Sequence, residues 1–101
     1  MSARYLGQAI IGQDEHLTFA IDWANFGAPA GPIVTMLDAS NTYADVTATA
    51  LSGLPSVAGT TVTLPEVVGS ALMLGHGYQL LCHATVGGQE RSCYLWITVE
   101  R

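Results

Sequence analysis

The chain contains no lysine, and its only basic residues are Arg4, Arg91 and Arg101. Three scattered arginines cannot line a phosphate backbone, which excludes nucleic-acid binding. The same count excludes attachment to an anionic membrane surface. No apolar run approaches the ~20 residues of a spanning helix. A cleavable secretory leader is also unsupported: the opening Met1–Glu15 holds a short apolar patch broken by Gly7, Gln8 and Gly12. The expected product is therefore made and kept in a cytoplasm, or assembled there into something larger. Charge of either sign is scarce. Charged residues make up 11% of the 101, with a net charge of −5, whereas hydrophobic residues reach 50%. Soluble domains carry about 25% charged residues. Surface so poor in charge marks an interface.

Amphipathic helices are missing as well, because the apolar period is two rather than 3.6. Leu17-Thr18-Phe19-Ala20-Ile21-Asp22-Trp23 alternates with Leu17, Phe19, Ile21 and Trp23 on one face. The Gly/Pro-rich connector from Asn25 to Pro32 excludes helix. Ile33 to Asp38 reads as a second strand, and Asp45 to Leu51 as a third, Thr/Val/Ala-rich one. Ser56–Ala58 and Thr61–Leu64 flank a Gly59-Thr60 turn, with Pro65 as a stop, and Val67 to Leu74 fits either a strand edge or one helical turn.

Gly87-Gly88 between Tyr78–Val86 and Gln89–Val99 is a two-residue hairpin signal. It pairs Cys82 with Cys93, Leu80 with Leu95 and Tyr78 with Ile97. One face then reads Tyr78, Leu80, Cys82, Ala84, Cys93, Leu95, Ile97 and Val99, which is a core face. The opposite face places Leu81, Tyr94 and Trp96 among polar neighbours, where a solvated sheet does not want them. These three are the expected partner contacts. About seven short strands with regular turns predict an antiparallel β-sandwich over residues 16–101. Residues 1–15 read as an N-terminal arm outside it, with Leu6, Ile10 and Ile11 available to dock on a neighbour.

Residues that carry chemistry are sparse. The Cys82–Cys93 pairing permits a disulfide by distance, but at a hydrogen-bonded site of less favourable bridge geometry. A cytoplasmic product favours reduced thiols, so two small buried side chains are expected. Zinc is excluded because the adjacent Cys82 and His83 point to opposite sheet faces. Asp22, Asp38, Asp45 and Glu66 show no acid/base spacing, and Ser70 lies outside any nucleophile elbow. No enzyme and no cofactor are expected. Trp23 and Phe26 would be the stacking residues of a carbohydrate- or receptor-binding module, although a buried Trp23 beside a solvated Asp22 is the simpler expectation.

The order of these motifs resembles a family of immunoglobulin-like tail proteins of tailed bacteriophages, the phage fiber-tail adaptors. The likeness rests on Phe19-Ala20-Ile21-Asp22-Trp23, on Gly75-His76-Gly77-Tyr78 leading to Cys82, and on the ending Leu95-Trp96-Ile97-Thr98-Val99-Glu100-Arg101. It spans residues 17–101, with a poor match over the middle from Ala39 to Gly69. The resemblance implies an immunoglobulin-like sandwich and a non-catalytic virion part that couples a tail fiber or spike to the tail body, in several copies following tail symmetry. Tyr78 implies a tyrosine corner, although it stands four residues before Cys82 rather than two. A capsid decoration protein is the structural alternative.

Overall fold

The computed structural model describes residues 4–100. Strand β1 (Arg4–Gly12) turns through Gln13 to Glu15 into β2 (His16–Leu17) and β3 (Ala20–Asp22). The Gly/Pro connector leads to β4 (Ala30–Asp38), a 3-10 turn at Ala39–Asn41, and β5 (Ala44–Asp45). One helical turn, α1 (Thr47–Ala50), precedes β6 (Leu51–Ser52), β7 (Ser56–Ala58), β8 (Thr61–Thr63) and β9 (Glu66–Val68). A 3-10 turn at Gly69–Ala71 then feeds the long hairpin β10 (Gly77–Val86) and β11 (Gln89–Glu100).

Two layers result. The first is a five-stranded sheet in the order β1-β11-β10-β4-β5. The second is built of β2-β9-β6 and β3-β8-β7. Its two halves are joined where Leu64 N–H donates to the Phe19 carbonyl at 2.8 Å. The register slips by one residue between the two halves, from Leu17–Val67 to Ala20–Thr63. Pro65 cannot donate to a ladder, which fits the break. A parallel first strand beside the last, a central hairpin, and a facing three-strand layer make an immunoglobulin-like β-sandwich.

The core lies between the layers. Met36, Leu80, Cys82 and Ile97 from the first meet Ile21, Trp23, Val62 and Val67 from the second, all buried. The hairpin has the register that Gly87-Gly88 dictates: Cys82 opposes Cys93, Leu80 opposes Leu95, and Tyr78 opposes Ile97. The predicted core face is buried throughout except Leu95, which packs half-buried against it. The tyrosine corner forms despite its looser spacing. The Tyr78 hydroxyl accepts from Met73 N–H at 2.8 Å and ties the β9–β10 connection to the sheet. Burial, opposed by that hydrogen bond, pushes the phenol above its ordinary range.

Two expectations need correction. Residues 4–12 are not an arm outside the sandwich: β1 pairs parallel with β11 from Arg4–Cys93 to Gly12–Glu100. Pairing satisfies the backbone groups on its β11 side, and Ala9 and Ile11 pack on the inner face. Asp45 to Leu51 is not one strand. The Asp45 carboxylate accepts from Thr47 N–H at 2.9 Å and from its hydroxyl at 2.6 Å, bending the chain into α1. Those two bonds hold the exposed Asp45 carboxyl below its ordinary value. Thr47 Oγ1 in turn accepts from Met36 N–H at 2.9 Å, so a local side-chain network overrides the β-propensity of Thr and Val.

Candidate interaction surface

Parity along the strands decides what the outer face of the five-stranded sheet shows. Leu81 lies between Tyr94 of β11 and Thr35 of β4. Gln79 lies between Trp96 and Leu37, and His83 between Ser92 and Ile33. On the far side, β1 sets Tyr5 beside Tyr94, Gln8 beside Trp96 and Ile10 beside Thr98. The result is a band in which Tyr5, Ile10, Tyr94, Trp96, Leu81, Leu37 and Ile33 alternate with polar side chains. Ile33 is 62% exposed and Ile10 59%. Glu90, Glu100 and Asp45 stand at its margins.

Several contacts shape the band from below. The Tyr5 and Tyr94 rings lie 5.5 Å apart at 52°. Trp96 folds its indole over Gly77: a Cβ there would run into Cζ2 and lie 3.0 Å from Cε2. The missing side chain is what lets the indole lie against the sheet and stay half-buried. His83 Nδ1 and Ser92 Oγ share a hydrogen bond of 2.7 Å, which ties the imidazole to its cross-strand neighbour.

Of the expected partner residues, Leu81, Tyr94, Trp96 and Ile10 share this face. Leu6 sits at the bulge between Tyr5 and Gly7, without a partner in the β11 register, and is 40% exposed. Ile11 is a correction. It is fully buried in the core, because neighbouring residues of a strand face opposite ways and Ile10 already faces out. Tyr5, Ile33 and Leu37 belong to the band but escaped the sequence reading. Ile33 and Leu37 were readable, since Val34 and Met36 between them alternate into the core. Tyr5 was not, because the bulge shifts the parity of β1.

The apolar surface continues around the edge of β4. Only Leu37 and Asp38 of that strand pair with β5. Beside the open part lies a cleft of about 390 Å³ lined by Pro32, Ile33, Val34, Leu51, Leu54 and Pro65. Leu54 at its rim is 89% exposed.

The other candidate chemistries separate. Cys82 and Cys93 are free and buried in the core, while the His83 ring lies on the opposite face. Burial pushes the Cys82 thiol up to about 12. Burial, partly offset by the Arg4 cation, pushes that of Cys93 up to about 11. Both thiols are neutral in the fold, whereas the ordinary value is 9.0. As the pH rises past 9 the unfolded chain ionises first, so stability is lost between there and the folded values. We expect no reaction with a thiol-specific disulfide reagent at pH 8 in the native protein, and two thiols titrated after denaturation. Rapid native reaction would contradict the packing.

Trp23 is 1% exposed and Asp22 faces solvent. Trp23 is therefore unavailable to stack on a sugar. Among the described residues no three His, Cys, Asp or Glu side chains gather as a metal site. Among the described residues no helix is long and apolar enough to cross a membrane.

No protein-family model matches the chain, and no curated protein matches it. Among solved structures it is similar to the crystal structure of the I9–I11 tandem from titin, with a TM-score of 0.44 and 12% identity. The match covers 99% of this chain and 33% of the titin chain, so this chain spans about a third of that tandem's length.

Proposed function

We propose that the chain is a non-catalytic structural protein of a tailed-phage virion, an adaptor that couples a tail fiber or spike to the tail body. The observation that carries this reading is the charge-poor, largely apolar outer face of the five-stranded sheet, whose acids stand only at its margins. A sheet face left to water alternates with charged side chains, and a band this apolar calls for cover by another protein. The virion address comes from the resemblance of the Phe19–Trp23, Gly75–Cys82 and Leu95–Arg101 segments. Several copies in a symmetric ring, assembled in the host cytoplasm, would repeat the same contact around the tail. No cofactor, nucleic acid or membrane enters the reading.

The contact residues of the proposal are Leu81, Tyr94, Trp96, Ile10 and Leu6, joined by Tyr5 and Ile33. Tyr94→Asp and Trp96→Asp each place a charge in the middle of the band. Fiber attachment in assembled particles is expected to be lost, since an unpaired charge in a buried contact costs several kcal/mol. The isolated domain should lose no more than about 1–2 kcal/mol, because neither side chain is in the core. Wild-type attachment by both variants would refute the assignment of this face.

A further inference from the structure

In a chain of net charge −5 with three arginines and no lysine, two of those arginines meet on one aromatic ring. The Arg4 guanidinium carbon lies 5.3 Å from the Phe26 ring centroid, and that of Arg91 lies 5.0 Å from it. Phe26 is held in place from beneath. Its N–H donates to the Trp23 carbonyl at 2.7 Å, and its ring meets the buried Trp23 indole edge-on at 5.8 Å. Arg4 stands across from Cys93 on β1, and Arg91 stands two residues before Cys93 on β11. Arg91 opposes the buried Ala84, so it lies on the inner side of the sheet, at the end of the sandwich beyond the core.

Among the described residues neither guanidinium is paired with a carboxylate. Among the described residues every ion pair is made by a histidine, and Glu90 faces the other side of the sheet with His83. Stacking on a ring engages the flat face of a guanidinium and leaves its N–H fork directed outward. The two guanidinium carbons are no further apart than the sum of their distances to the shared ring.

We infer that Arg4, Phe26 and Arg91 form a binding site for two carboxylates of an acidic, extended segment of a partner protein. Side chains two apart on an extended strand share one face at about 6.8 Å, a spacing within the span that the shared ring allows the two guanidinium groups. A long polyanion such as nucleic acid is disfavoured, because two cations match only two of its charges and the rest meet a chain of net charge −5. This site is distinct from the outer sheet face and does not depend on the virion reading.

The test is a titration of the isotope-labelled protein, at low ionic strength, with a capped Gly-Glu-Val-Glu-Gly peptide. The readouts are the arginine Nε–H and Phe26 ring signals. Saturable shifts confined to Arg4, Arg91 and Phe26 are expected, with none from the Gly-Gln-Val-Gln-Gly control. Arg91→Gln should weaken binding about tenfold, and Arg4→Gln with Arg91→Gln should abolish it. Salt provides a readout that needs no variant, with affinity expected to fall about tenfold at physiological ionic strength. Absence of saturable shifts, equal binding of the glutamine peptide, or undiminished binding by the double variant would overturn the site. Tighter binding of inorganic phosphate than of the peptide would overturn its assignment to carboxylates.

Discussion

Gly69→Ala is expected to cost at least about 3 kcal/mol and to lower the melting temperature by about 15 °C. The physical reason is a close approach of backbones. A Cβ at Gly69 would lie 2.6 Å from the Glu15 carbonyl oxygen and collide with that of Gly12. Neither oxygen can step aside. The Glu15 carbonyl accepts from Gly69 N–H at 2.9 Å, and the Gly12 carbonyl accepts from Glu15 N–H at 3.1 Å. The Glu15 carboxylate also reaches back to accept from Gly12 N–H at 2.6 Å, closing the turn between β1 and β2. Relieving the clash means opening the junction where β1, β2 and β9 converge. Ser70→Ala, one residue on and exposed, is the control and should stay within about 0.5 kcal/mol. Thermal denaturation of the two variants decides the matter. A Gly69→Ala protein that melts within a few degrees of wild type would show that this junction is looser than described.

Asp38→Ala should be nearly as damaging, at about 3 kcal/mol, for a different reason. Asp38 is the one buried charged or polar side chain among the described residues, at 4% exposure. Its Oδ1 accepts from Ser40 N–H at 3.1 Å, capping the 3-10 turn after β4. Its Oδ2 and Oδ1 lie 2.9 and 3.1 Å from His76 Nδ1. Ser40 Oγ completes the cluster by accepting from Gly77 N–H at 2.9 Å. The carboxylate thus ties the β4–β5 turn to the start of β10. Alanine leaves the half-buried His76 imidazole and the Ser40 N–H without their acceptor. Asp38→Asn keeps the shape and one acceptor and should cost about half as much. A double-mutant cycle with His76→Ala separates the shared contact from the rest. Coupling below about 0.5 kcal/mol would mean that the pair is not a unit.

How much of this was legible in the sequence depends on what fixes each element. The hairpin was readable to the residue because Gly87-Gly88 sets its register, and a period of two then sorts both faces. Tyr94, Trp96 and Leu81 fell to the outer side by the same rule. The first strand was not readable. Gly7 and Gln8 interrupt its alternation, a bulge shifts its parity at Leu6, and its pairing partner is β11, at the far end of the chain. The one-turn helix was hidden behind Thr and Val, which favour strands, until Asp45 bonded Thr47 and turned the backbone. Convergence of Arg4, Phe26 and Arg91 is a product of topology alone. No local pattern reports it, because the parallel pairing of first and last strands is what brings the two arginines together.

Under the proposed role, the outer face of the five-stranded sheet is covered by another protein in an assembled tailed-phage particle. Hydroxyl-radical footprinting of the isolated domain against the same chain in purified particles tests it most directly. Tyr5, 53% exposed in the domain, together with Tyr94 and Trp96, should label readily in isolation and be protected in the particle. Tyr43, 54% exposed beyond the end of β4, is the internal reference. Equal labelling of Tyr5, Tyr94 and Trp96 in both states, or absence of the chain from particles, would contradict the account.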